Sequence, residues 1–582
     1  MKIVKSRGTE RWQSADRLGR MGRGLPAILA TAVFLGAIGS QLGWTAEEAE
    51  ATPKGSFDVR TWRATGDGKT MDTAAIQRAI DAATVAGGTV VLPPGRYLTG
   101  TLWLKNNVTV RVEKGATILG STARGDYQKI TGLPEDLART SANLYQGLLL
   151  AYGAHDITLC GEGTIDGQGA QWVGNAKGTF PLDRDGHLPD RFRPVLINFV
   201  RCQKVSVCGL TLRDPVCWLQ DYTECAGVNL HDLAIHSLSY WNNDGIDIVG
   251  CRNVRVNNCQ INAADDGICL KSENAAACEN IAISNCIVRT SASAFKCGTG
   301  SNQGFKNITL NNMVVYDNAR SGIALEIVDG GTMENVAIAN VTMRNIGNAI
   351  FIRLGDRSRR NSPAAGIGTL RDVGISNVVA TVTGDDSDAG YPLRAPRNPE
   401  PHNLIPASIT GLPGHPVRDI SLSNIRIRYT GGAQRSRAVV DLDALDKVPE
   451  RPNRYPEYDQ FGELPAWGFY CRHVQGLTLR HVVVCTDKPD YRPALTCDDV
   501  KDLSLDGFQP RSAGEEPLLV LNNVQGALIR GCVAPPGTAA FLRLQAKSGD
   551  IAMEANDLRK ARKTVEYDSV TPDCDAVLPK RP

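Results

Sequence analysis

Three carboxylates stand in two matching corners of the chain: Asp244 within Trp241-Asn-Asn-Asp-Gly-Ile-Asp247, and Asp265 with Asp266 within Ala264-Asp-Asp-Gly-Ile-Cys-Leu-Lys-Ser272. Crowded carboxyls suit proton-transfer chemistry, because like charges held close push one pKa up and keep a proton available near neutral pH while a neighbour stays ionised. An Asp-Gly pair alone is ordinary turn chemistry. What sets these apart is spacing: the 21 residues from Asp244 to Asp265 amount to about one structural repeat.

That repeat is visible around the acids. The phrase Cys-x-x-Val/Ile recurs as Cys202-Gln-Lys-Val205, Cys225-Ala-Gly-Val228, Cys251-Arg-Asn-Val254 and Cys278-Glu-Asn-Ile281. It continues without cysteine as Phe305-Lys-Asn-Ile308 and Met333-Glu-Asn-Val336, with steps of 23, 26, 27, 27 and 28 residues. Short β-branched runs between Asn/Gly corners at such a period mark a solenoid. The apolar residues alternate rather than recur at three and four, which excludes a helical repeat. The fold class predicted is all-β, a parallel β-helix.

Aligned on their corners, the strands read Gly245–Val249, Gly267–Lys271, Ala294–Gly298, Gly322–Glu326 and Ala349–Arg353. One face is the apolar stack Ile246/Ile248, Ile268/Leu270, Phe295/Cys297, Ile323/Leu325 and Ile350/Ile352. The two-residue side-chain period puts Asp247, Lys271, Lys296, Glu326, Phe351 and Arg353 on the opposite face, as the floor of an outward groove. Because neighbouring strands lie about 4.8 Å apart, equivalent positions on successive coils can act on one bond. Asp244 and Asp266 are equivalent, and Asp265 is beside them.

The rest of the chain narrows the setting. Lys and Arg total 64 against 62 Asp and Glu in 582 residues, so no strong field implies a nucleic acid or an anionic membrane as partner. Basic residues from Lys2 to Arg23, an apolar run from Leu25 to Ile38 and Ala49-Glu-Ala51 form the pattern of a secretory signal over residues 1–51. The apolar run is short for a membrane span, so the mature chain is expected to lack one and to be secreted or periplasmic. Of the 16 cysteines, eleven fall between Cys160 and Cys297, many in register. They suit buried stacked thiols as well as bridges. No Cys-x-x-Cys pair occurs, and neither a metal nor a cofactor is expected.

Residues 52–582 are read as a single solenoid domain and a monomer. Asp72 or Thr73 would cap a helix burying Ile76, Ala79, Ile80 and Ala83, placed to close the open end of the first coil. Two Pro-rich inserts, at about 382–418 and 432–468, interrupt the coils and are expected to wall the groove. Val373, Ile420, Leu477, Leu503 and Leu528 suggest that coils continue past them, while residues 533–582 give no reading.

Several phrases in order then carry a resemblance: Asp67-Gly-Lys-Thr70, Leu92-Pro-Pro-Gly-Arg-Tyr97, Gly161-Glu-Gly-Thr-Ile-Asp-Gly-Gln-Gly169, Arg193-Pro194 and Asp214-Pro-Val-Cys-Trp218. Together with the two acid corners, the stretch from about 57 to at least 345 resembles glycoside hydrolase family 28, the polygalacturonase family. The resemblance implies a right-handed β-helix, a poly- or oligosaccharide substrate of pectic type, and inverting hydrolysis. It implies Asp265 as the general acid, with Asp244 and Asp266 positioning the attacking water.

The chain departs from the family pattern where a uronate carboxylate is usually bound. In place of Gly-His-Gly stands Ala292-Ser293-Ala294, and in place of Arg-Ile-Lys stands Ala324-Leu325-Glu326. Ser293 and Glu326 therefore replace a histidine and a lysine. Lys271, Lys296 and Arg353 are candidates to receive an acidic sugar instead, or to pair internally. Asn242, Asp247, Tyr240 and Trp241 complete the candidate binding residues. Two other readings stay open: a polysaccharide lyase using one of these basic groups, and a noncatalytic carbohydrate-binding β-helix.

Overall fold

The structure, a computed structural model, describes residues 55–138, 146–176, 193–273, 276–357, 366–384, 387, 389–391, 405–437, 440–567 and 576–577. The expected signal segment lies outside them, as do Asp385, Asp386, Pro392, Pro396, Pro399 and Pro401 of the first insert. No helix among the described residues is long and apolar enough to cross a membrane.

Each coil supplies three strand segments, and each segment pairs in parallel with its counterparts in the coils above and below. Ile246–Val249 pairs with Ile268–Ser272, which pairs with Phe295–Ser301. Arg252–Asn257 and Gln260–Ala263 pair with successive parts of the bent strand Cys278–Thr290. Parallel pairing coil on coil is the parallel β-helix expected from the repeat, right-handed as the resemblance implies and as such crossovers run. The alignment read from the corners holds residue for residue: Ile246, Ile268, Phe295, Ile323 and Ile350 are successive register partners. All five are fully buried in one continuous core.

The corners have a physical cause. Asn253, Asn280, Asn307 and Asn335 each adopt a left-handed backbone near φ +56, a region that asparagine tolerates better than other non-glycine residues. Their side chains form a ladder, with Asn280, Asn307 and Asn335 each donating to the asparagine one coil back at 3.1, 3.0 and 3.2 Å. The cysteine column packs inside that corner as free thiols. Cys202, Cys225, Cys251 and Cys278 are buried and unbridged, and the Cys225 and Cys251 sulfurs accept from the backbone N–H of Cys202 and Cys225.

The N-terminal helix spans Thr73–Ala86 and buries Ile76, Ala79, Ile80 and Ala83, packing on the strands of the first coils. Asp72 precedes it but does not cap it. Its carboxylate accepts from the Thr65 and Gly66 N–H groups, stitching the preceding turn to the helix start.

Beyond Arg353 the coils continue through Val373, Ile420, Leu477 and Leu503 in register. The next core position is Ala527 rather than Leu528, a one-residue shift that leaves Leu528 on the outer face. Residues after 533 add further coils through Ala540–Gln545, Gly549–Glu554 and Lys563–Tyr567.

The second insert has a definite seat. Val440, Val448, Phe461, Leu464 and Ala466 pack with Ile405 onto Ala324, Phe351 and Tyr470. Ala324 and Phe351 are register partners on the outward face of the first sheet, and Tyr470 stands two coils beyond Phe351 through Ser408. An apolar stripe on a face that should be polar would be costly in water, and the insert covers it.

Candidate active site

The acid corners lie where the first sheet meets the preceding strands. The backbone fixes their relation: Gly245 N–H donates to the Asp266 carbonyl at 2.9 Å, and Asp265 N–H to the Asn243 carbonyl at 3.2 Å. Asn243 locks the first corner, its amide donating to the Cys217 carbonyl and its oxygen accepting from Tyr240 N–H, both at 2.5 Å. Asn242 accepts from Arg193 at 2.6 Å, and Arg193 also lies 4.1 Å from the Tyr240 ring centroid. Asn242 and Tyr240 are thus buried supports of the corner. Trp241, half-buried, packs beside Tyr240 with the two rings tilted by 39°.

Two ammonium groups organise the carboxyls. Lys271 bonds to Asp244 at 3.0 Å and to Asp247, and its Nζ sits 3.6 Å from the centroid of the Trp218 ring. Lys296, only 1% exposed, lies between Asp266 at 3.2 Å and Glu457 at 3.4 Å. Asp266 also accepts from the Ser293 N–H at 3.1 Å. Asp265 is half-buried, beside Asp266 but without either lysine as a hydrogen-bonded partner.

These surroundings push the acids in opposite directions. Burial, then repulsion from Asp244 and Asp266, holds the Asp265 carboxyl well above its usual range. Burial works the same way on Asp266, yet Lys296, Arg320 and Lys271 outweigh it and hold that carboxyl low. Burial and Asp247 raise Asp244 against the pull of Lys271. Asp247 is raised to about 7, by burial first. Both lysines stay charged, because their carboxylate partners overcome the burial that would otherwise lower them.

Residues expected on an open groove floor are placed differently. Lys271 and Lys296 are buried ion-pair partners of the acids rather than free cations. Arg353 points under the second insert, donating to the carbonyls of Gly411, Glu450 and Arg451 at 3.1, 2.6 and 3.3 Å, with Phe461 over its guanidinium. It anchors the insert and does not reach the acids. Ser293, in the histidine's place, is fully buried, and its hydroxyl has no hydrogen-bond partner. Glu326 is 0% exposed with neither carboxyl oxygen hydrogen-bonded, and burial raises it well above its usual range despite Lys296. It packs against Gly298, where an added Cβ would stand 2.6 Å from Glu326 Oε2.

Three residues enter the site that sequence reasoning did not place there. Glu457 and Tyr455 come from the second insert, and Arg320 from the bend before Gly322. Arg320 bonds to Glu457 at 2.5 Å. Tyr455 is 51% exposed, with its ring centroid 5.4 Å from Lys296 Nζ and 5.7 Å from the Arg357 guanidinium. The written signal was the run Tyr455-Pro-Glu-Tyr-Asp inside a long insert. Two residues apart, Tyr455 and Glu457 both reach Lys296.

The carboxyl oxygens of Asp244 and Asp247 and the sulfur of Cys269 lie within 4.8 Å of one another, a grouping that can hold a metal ion. Lys271 already bonds to both carboxylates, so an ammonium stands where a cation would sit.

Residues 108–390, which contain all three acids, match the family described as glycosyl hydrolases family 28, and residues 56–123 match that described as rhamnogalacturonase A/epimerase, pectate lyase-like. The chain is 28% identical over 218 residues to a probable polygalacturonase of Vitis vinifera, covering 36% of this chain and 42% of that protein. It is 28% identical over 254 residues to the exo-poly-alpha-D-galacturonosidase of Dickeya chrysanthemi, covering 38% and 42%. It therefore spans less than half the length of these curated relatives. Among solved structures, an exopolygalacturonase from Thermotoga maritima aligns over 65% of this chain and 88% of its own at 20% identity, with a TM-score of 0.49.

Proposed function

We propose that the chain belongs to glycoside hydrolase family 28, whose model residues 108–390 match, and that it is an exported enzyme hydrolysing glycosidic bonds of a pectic or related polysaccharide with inversion, through Asp244, Asp265 and Asp266. The observation that carries this is the unlike surroundings of two adjacent carboxyls: Asp266 pairs with Lys296 at 3.2 Å and accepts from the Ser293 N–H at 3.1 Å, which holds it low, while Asp265 has neither lysine as a hydrogen-bonded partner and is held up by burial and its acidic neighbours. Inverting hydrolysis needs one carboxylic acid and one carboxylate on the same bond. Asp265 protonates the leaving oxygen as the sugar–oxygen bond breaks. Asp266, with Asp244 beside it, orients a water and takes its proton as the water oxygen bonds to the anomeric carbon.

Elimination chemistry is disfavoured by the same surroundings. A lyase base must be able to give up its proton near neutral pH. Lys271 and Lys296 are raised well above their usual range, and Arg353 is bound to the insert's carbonyls. The second insert, seated across Ala324, Phe351 and Tyr470 and reaching Lys296, favours a groove closed on that side and attack near a chain end. The basic and apolar N-terminal stretch supports export.

Replacement of Asp265 by Asn tests the assignment. It removes the acid but keeps the shape, and the loss expected for a positioned general acid is about 10²–10⁴-fold in kcat. Undiminished release of reducing ends by Asp265→Asn, on a polysaccharide that the wild type cleaves, refutes it.

A further inference from the structure

The second insert brings a carboxylate to cations that stand beside the catalytic acids. Lys296 and Arg320 are the positive groups facing Asp265 and Asp266 from the coils that follow, and Glu457 bonds to both, at 3.4 and 2.5 Å. Two cations thus face two carboxylates, Asp266 and Glu457, and their charges cancel. The next outward carboxyl, Glu326, is fully buried and unpartnered. The other nearby ammonium, Lys271, is shared by Asp244 and Asp247. No positive charge among these groups is left for a carboxylate on the substrate.

Resting on the hydrolase reading above, we propose that Glu457 is a specificity-determining residue: it occupies the place of a substrate carboxylate, so that the subsite beside Asp265 and Asp266 takes a neutral sugar and rejects a uronate. A uronate entering there meets Glu457, already bonded to the two cations. Like charges brought together at a desolvated site are a strong means of rejection. The exposed ring of Tyr455, two residues before Glu457, offers an apolar face to either kind of sugar and so does not discriminate. The insert, not the β-helix, sets the charge preference.

The test is binding of a matched pair, D-galactose and D-galacturonate, which differ only at C6, to the full chain by titration calorimetry. Wild type, Glu457→Gln and Glu457→Asp are compared. The wild type is expected to bind galactose at least tenfold more tightly than galacturonate. Glu457→Gln frees one positive charge and should improve galacturonate binding at least tenfold while changing galactose less than threefold. Glu457→Asp keeps the charge and should keep the wild-type preference, which separates charge from any loss of the insert's fold. Galacturonate bound as tightly as galactose by the wild type overturns the proposal, and so does an unchanged ratio in Glu457→Gln. Binding of neither sugar by any of the three proteins overturns the subsite itself. Because the readout is affinity, these outcomes are distinct from failure of the hydrolase reading, which shows as undiminished turnover in Asp265→Asn.

Discussion

Replacing Lys296 with Met removes one ammonium from between Asp266 and Glu457 and keeps most of the side chain's length. At 3.2 Å and an effective dielectric of about 20, the Lys296–Asp266 attraction is nominally about 5 kcal/mol. At about 1.4 kcal/mol per pKa unit that is an upper bound of nearly 4 units. Arg320 and the Ser293 N–H still act on Asp266, so the shift expected is about 1–3 units upward. The sign follows from the role. In the proposed role Asp266 works ionised, so activity is lost as pH falls through its pKa, and raising that pKa moves the acid limb to higher pH. The basic limb, set by loss of the Asp265 proton, should also move up, since Lys296 helps to lower Asp265. The two limbs report the coupled acids together. The assay is kcat/KM against pH for wild type and Lys296→Met, with circular dichroism confirming the fold at each pH. An acid limb displaced by less than about 0.3 unit, well under the range expected from one lost cation, would refute the electrostatic account of Asp266.

Other perturbations have equally definite outcomes. Asp221, fully buried, is raised by burial to about 7 from 3.8. Its folded pKa lies above the unfolded one, so its contribution to stability is present at low pH and is lost as pH rises from about 4 to about 7. Denaturant titrations should show Asp221→Asn gaining on the wild type over that window by about 2–4 kcal/mol, and parallel curves would contradict this. Phe351→Ala removes the aromatic seat of the second insert and should cost about 3–5 kcal/mol. Limited proteolysis should then cut within residues 432–468 of the variant much faster than in the wild type. Because Lys271 stands where a metal ion would bridge Asp244 and Asp247, hydrolysis should survive a chelator unchanged, and restoration of activity by added calcium after chelation would argue for a different site.

Much of this was legible in the sequence for reasons that are local. An Asp-Gly or equivalent corner precedes each strand of the outward sheet, so aligning those corners fixed the register of Ile246 through Ile350 and grouped the three acids, and the Asn corners repeat because each coil needs a left-handed turn that asparagine tolerates. Asp72 misled because its type and position suit a helix cap, while the unpaired N–H groups of Thr65 and Gly66 competed for the same oxygens. Leu528 misled because a neighbouring small residue, Ala527, fills the core position. The lysines were seen but their partners were not. Alternation along a strand says which face a side chain takes, and nothing in it tells that a loop more than 130 residues later will cover that face. Glu457 lies 161 residues from Lys296 and 137 from Arg320, a pairing set by tertiary packing. Arg353 shows the converse, an outward cation recruited by the carbonyls of the same insert.

The central claim, inverting hydrolysis by the opposed pair Asp265 and Asp266, is tested most directly by proton NMR of the sugar end released in the first minutes of digestion. A first-formed anomer of configuration opposite to the cleaved linkage, with no vinylic proton, is the result predicted. A product that retains the configuration, or an unsaturated end bearing a vinylic proton, would contradict it.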